Sequence, residues 1–114
     1  MTVSAAKMTV HLVVSVGEAG PITRALQQLM IAARTSPGCL GCSISINMNA
    51  QIDVCYIERW ESEDVLRREL CSERFTTLAS LMEHCTAAPQ VKFQLPTGTR
   101  GLDYVVEVRS SKPG

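Results

Sequence analysis

Tyr56, Glu58 and Trp60 recur at a spacing of two. On a strand, that spacing puts all three side chains on one face. A phenol, a carboxylate and an indole together can bind a flat polar molecule. The indole stacks and its N–H donates to a ligand oxygen, while the phenol and carboxylate orient the ligand or move its proton. Burial raises the pKa of such a carboxyl. Each residue also has a plainer role. Trp60, the only tryptophan, fills a gap between sheet and helix equally well. Glu58 reads first as half of an ion pair, to a helix or to a second subunit, and only then as a proton carrier. His11 lies mid-strand and is the imidazole placed to act as a base. Its alternatives are a hydrogen-bonded structural role or a place in an interface.

Other chemistries have less support. Cys39 and Cys42 form a C-x2-C, but Cys55, Cys71 and Cys85 are scattered and supply no second pair. Both therefore read as small packing residues, and no metal site is expected. Gly17-Glu18-Ala19-Gly20 precedes a helix without the rest of a phosphate-loop pattern. Eleven basic residues balance eleven acidic ones, and no basic run occurs. That balance argues against nucleic acid or an anionic membrane as partner. The five cysteines are an odd number, and the N-terminal run lacks the flanks of a signal peptide. Free thiols in a reducing, cytoplasmic compartment are expected. No stretch is long enough to span a bilayer.

Elements that would position these residues follow from periodicity. The chain length fits one domain, with a core over 8–95 and a C-terminal extension over 96–114. Residues 1–7 and 110–114 read as loose ends. Met8–Val16 alternates as a first strand, with Val10, Leu12, Val14 and Val16 on one face. Pro21 is expected to open a helix carrying Ile22, Leu26, Leu29 and Ala33 on its apolar side, stopped by Ser36-Pro37-Gly38. Cys42–Met48 and Val54–Trp60 are the second and third strands, joined by a polar turn. Ser62 caps a helix, and Ser72 starts it again after a break near Cys71. The apolar stripe Phe75, Leu78, Leu81, Met82 runs on to Ala87-Ala88-Pro89. Val91–Leu95 is a fourth strand and Pro96–Gly101 a turn. The tail over 102–109 fits either a strand, from its valines, or a helix with Leu102, Val105, Val106 and Arg109 on one side. The order β-α-β-β-α-β is the ferredoxin-like arrangement, an α+β fold with a four-stranded antiparallel sheet and both helices on one face. The other sheet face is half apolar, which predicts a homodimer through it.

Three stretches carry a resemblance: PGCLGCSI (Pro37–Ile44), ERWESEDVL (Glu58–Leu66) and SERF (Ser72–Phe75). In this order the chain resembles the antibiotic biosynthesis monooxygenase domain family of the dimeric α+β barrel superfamily. The resemblance implies a homodimer with its sheets face to face, and a pocket in each subunit between sheet and helices. It also implies oxidation of a small aromatic or enolisable molecule by O2 without metal, flavin or other cofactor. In that reading Trp60 stacks on the substrate, His11 or Tyr56 handles the proton, and Phe75, Leu78 and Met82 form an apolar wall. Many members carry a His nine residues after the strand-end Trp; here that position is Glu69. The alternative is a dimer that binds a small hydrophobic molecule or a protein partner without turnover. Haem degradation comes last, because it needs a helix-2 His and a strand-1 Asn, whereas this chain offers His84 and His11.

Overall fold

The computed structural model describes residues 5–111. The chain runs β1 (Ala6–Val14), α1 (Val16–Arg34), β2 (Cys39–Met48), β3 (Ile52–Trp60), α2 (Glu63–Leu70), α3 (Glu73–Met82), β4 (Gln90–Leu95), β5 (Gly98–Arg100) and α4 (Asp103–Ser110). The strands form one antiparallel sheet in the order β2-β3-β1-β4-β5. It is the expected α+β arrangement with one strand more. Residues 96–101 are not merely a turn. Pro96 and Thr97 make a tight connection, and Gly98, at a φ of 137°, lets β5 pair back on β4.

The sheet has a covered face and an open one. Ala6, Met8, Val10, Leu12 and Val14 of β1 are buried, and so are Ile52, Val54, Tyr56, Glu58 and Trp60 of β3. Ile22, Leu26 and Ala33 of α1, Leu66 and Leu70 of α2, and Phe75 and Leu78 of α3 close over them. This alternation is what the strand period of two dictates when one face meets helices.

Several boundaries differ from expectation. β1 begins at Ala6, inside the segment read as a loose end; residues 1–4 and 112–114 of the expected loose ends lie outside the described residues. β1 also stops at Val14, because Ser15 caps α1, its Oγ accepting from the Glu18 amide at 3.3 Å. Pro21 therefore sits inside α1 rather than opening it. The carbonyl four residues back belongs to exposed Gly17, where water can replace the missing donor. The break at Cys71 is present, with Ser72 capping α3 as expected. α3 ends at Met82, earlier than Ala87-Ala88-Pro89, and Thr86 then ties the connection to β1 through its amide and the Val13 carbonyl at 2.9 Å.

The tail is a helix. α4 buries Tyr104, Val105 and Val108, while Leu102 and Val106 stay exposed, so its buried side is rotated from the expected one. Tyr104 decides this. Its ring lies 5.2 Å from that of Phe93, and its hydroxyl donates to Glu63 Oε2 at 2.6 Å. A packed aromatic outweighs the strand preference of three valines.

Candidate functional site

Tyr56, Glu58 and Trp60 do converge, on the covered face at the end of β3. The Tyr56 hydroxyl donates to Glu58 Oε2 at 2.6 Å, and Trp60 Nε1 donates to Glu58 Oε1 at 3.1 Å. The carboxylate is 4% exposed. Among the described residues Glu58 thus makes no ion pair, the role first read from its charge. It is a buried acceptor held by two neutral donors from its own strand.

β2 brings in the two neighbouring cysteines. Cys39 and Cys42 are three positions apart, which on a regular strand would place them on opposite faces. The pairing with β3 shifts between Cys39 and Gly41, so Cys39 pairs with Trp60 and Cys42 with Glu58. This bulge turns both thiols toward the covered face. The expected turn at Cys39 is therefore strand, and all five cysteines are free.

The helical side is built by the elbow between α2 and α3. Glu69, buried at the end of α2, accepts two bonds from Arg74 at the start of α3: Nη2 to Oε1 at 2.6 Å and Nε to Oε2 at 3.1 Å. The restart at Ser72 aims Arg74 back at Glu69. Gly38 fits the opposite wall. At a φ of 86° it adopts a conformation that side chains rarely take, and an added Cβ would lie 2.7 Å from Val65 Cγ1. Between these parts lies a crevice of about 170 Å³, touched by Pro37, Trp60, Val65, Arg68, Glu69 and Arg74.

Burial raises the Glu58 pKa to about 7; the Tyr56 hydrogen bond opposes this, and the Glu69 charge adds to it. Burial pushes the Cys42 thiol up to about 11 and also raises Cys39. Tyr56 is raised as well, by burial first and then by the Glu58 charge. The Arg74 guanidinium is held charged chiefly by its hydrogen bonds to Glu69. Glu58 is the member of this cluster poised to exchange a proton near neutral pH.

The other sequence candidates are distributed differently. Phe75, Leu78 and Met82 are buried on α3, but they stand in the core and do not line the crevice. His11 is on the opposite sheet face, 3.6 Å from Asp53. It cannot share a pocket with Tyr56 and Trp60, because strand neighbours an odd number of residues apart face opposite ways: Val10, not His11, pairs with Tyr56 on the covered side. His11 instead borders an open concavity of about 500 Å³ together with Thr9, Ser45, Asn47 and Asp53. The position expected to hold a helix His is the Glu69–Arg74 pair. A charge-based reading missed Glu69; its one signal was an acid on the apolar side of a short helix, beside Leu66 and Leu70. Among the described residues no group of three or more His, Cys, Asp or Glu side chains is arranged to hold a metal ion. Among the same residues no helix is long and apolar enough to cross a membrane.

No sequence-family model matches the chain, and no curated protein sequence does. Solved structures do. Rv0793 from Mycobacterium tuberculosis superimposes with a TM-score of 0.71 at 16% identity, over 82% of this chain and 95% of that one. A candidate antibiotic biosynthesis monooxygenase from Caulobacter crescentus gives 0.69 at 17% identity, over 79% and 87%. A further antibiotic biosynthesis monooxygenase gives 0.60 at 16%, over 77% and 94%. At these identities the likeness is one of fold. It is the fold that the resemblance of Pro37–Ile44, Glu58–Leu66 and Ser72–Phe75 implied.

Proposed function

We propose that this chain, with the fold of the antibiotic biosynthesis monooxygenases, oxidises a small single-ring phenol or enolisable molecule with O2. The observation that carries the reading is Glu58, a buried carboxyl with a pKa of about 7, bonded to Tyr56 and to Trp60, the one of the three that lines the crevice. A cavity of about 150 Å³ holds one benzene ring. The crevice at Trp60 is of that size, and favours one ring over a fused polycycle. In the proposed reaction Glu58 takes a proton from the substrate, directly or through the Tyr56 hydroxyl. The electron-rich anion gives an electron to O2, the two radicals combine into a peroxide anion, and this takes back the proton from Glu58 to become a hydroperoxide. Its O–O bond breaks as the adjacent carbon loses its remaining proton, giving a carbonyl and water. One CH2 group and one O2 become one C=O and one H2O. Tyr56 and Trp60 steady the Glu58 charge while it holds none of the substrate's protons, and the buried surroundings keep bulk water out. Oxygen uptake by metal-free and flavin-free protein on single-ring phenols and small enolisable ketones tests this. A panel in which none consumes O2 would sink the reading.

A second reading is a binding domain that returns its ligand unchanged. It is favoured by the satisfaction of both Glu58 oxygens and by the 1% exposure of Trp60, which leave the site closed as it stands. Quenching of Trp60 fluorescence by a ligand recovered intact selects it. We also propose a homodimer through the open sheet face, whose half-buried Val13, Cys55 and Ile57 have no cover within one chain. A monomer mass by light scattering rules that out. A reducing compartment suits the five free thiols.

A further inference from the structure

A second concavity, of about 340 Å³, lies away from the Trp60 crevice, over Gly41 at one end of the open sheet face; Ile57 of the proposed dimer face also lines it, so it borders that contact. Three cations from three elements meet there: Lys7 of β1, Arg34 at the end of α1 and Arg59 of β3. No acidic residue lines it, and none of the three forms a salt bridge among the described residues. The arrangement runs against the fold's own interest. Lys7 and Arg59 are direct partners in the β1–β3 register, and like charges facing one another across strands destabilise a sheet.

The cations are also placed rather than loose. Arg34 donates through Nε at 3.1 Å and Nη2 at 2.9 Å to the Cys42 carbonyl, which anchors its guanidinium at the edge of the concavity. Its Nη1 makes no hydrogen bond among the described residues. Arg59 extends over Gly41, where an added Cβ would stand 3.5 Å from Nη2, so the absent side chain leaves the floor open beneath it. Ser43 adds a hydroxyl to the lining.

We propose that this concavity binds a small oxyanion of the phosphate class, gripped by Arg34, Arg59 and Lys7. The Arg59 fork matches an edge of a tetrahedral oxyanion, Arg34 adds the Nη1 donor left over from its bonds to the Cys42 carbonyl, and the ammonium adds a point charge. Three positive charges suit a dianion better than a single carboxylate. Such a ligand would also relieve the Lys7–Arg59 repulsion that the chain by itself leaves standing.

The test is calorimetric titration of inorganic phosphate, and of phenyl phosphate, into the full chain at low ionic strength. Wild type, Arg59→Gln and the Lys7→Gln/Arg59→Gln double variant are compared, with oligomeric state measured in parallel. One site per chain in the millimolar range or tighter is expected, weakened about tenfold or more by Arg59→Gln. Thermal stability of the variants without phosphate should not fall, since a like-charge pair has been relieved. Equal binding of both ligands marks a site for the free anion, and tighter binding of the ester marks one for a phosphorylated metabolite. Absence of saturable binding overturns the proposal, and so does equal binding by wild type and double variant. A change of oligomeric state with no phosphate dependence would overturn it too, by showing that the cations serve a contact between copies.

Discussion

Replacing Glu58 with Gln removes one titrating group and keeps the shape of the side chain. In the unfolded chain the carboxyl has its ordinary value of 4.5, and in the fold it stands near 7. Between those values the folded chain holds a proton that the unfolded chain has released. The stability attached to that proton is complete below pH 4.5 and is lost as pH rises through about 7. Over the whole window the displacement is worth about 3 kcal/mol. Glu58 is only 4% exposed, so solvent screening reduces this little. Urea unfolding of both proteins at several values from about pH 5 to pH 8.5 measures it. Titrations common to the two proteins cancel in the difference. Wild type should lose about 2 to 3 kcal/mol relative to Glu58→Gln as pH rises, a midpoint shift of about 10 °C or more in thermal melts. If turnover is found, the rate should rise with pH through a limb near 7, and Glu58→Gln should lower it by about a hundredfold or more. Parallel stability curves across this range would refute the placement of Glu58 as a buried proton carrier.

Trp60→Phe removes the Nε1 donor that steadies the Glu58 charge. The Glu58 limb should move to higher pH, stability should fall by about 1 to 3 kcal/mol, and the crevice should accept a bulkier ring; pH-resolved denaturation and a ligand series check these together. Arg74→Met leaves the buried Glu69 carboxylate without its partner. With Arg74 itself 37% exposed, a loss of about 2 to 4 kcal/mol is expected, and melting curves that match wild type would contradict it. Gly38→Ala combines a strained φ with a Cβ at 2.7 Å from Val65 Cγ1. About 2 kcal/mol or more of destabilisation should appear in melting curves, partly restored by Val65→Ala.

Much of this architecture was legible in the residues alone. Alternation over β1 predicted its apolar face, and the spacing of Tyr56, Glu58 and Trp60 put all three on one face of β3, because the strand period is two whatever lies around it. Ser62 and Ser72 announced two helix starts, because a hydroxyl that caps a helix acts within four residues of chain. Local rules of this kind need no partner. The same locality misled at Pro21, a favoured opening residue overtaken by the cap at Ser15, and left 102–109 open between strand and helix, where contact with Phe93 and Glu63 selected the helix and its buried side.

What only the tertiary structure decided is which groups share a space. Spacing could not reveal the bulge at Leu40 that turns Cys39 to the same side as Cys42, since a bulge is a property of two strands in register. Nor could charge foretell that Glu58 would lie between two neutral donors while Glu69 took Arg74, and that His11 would face Asp53 across the sheet from both. The sequence by itself determined the α+β fold and which residues share a face of a strand. The pKa of Glu58, the size of the crevice and the three cations over Gly41 came from the folded chain. Secondary structure is written in short-range periodicity and capping. Desolvation and charge pairing depend on residues far apart in the chain, and exist only once the elements have met.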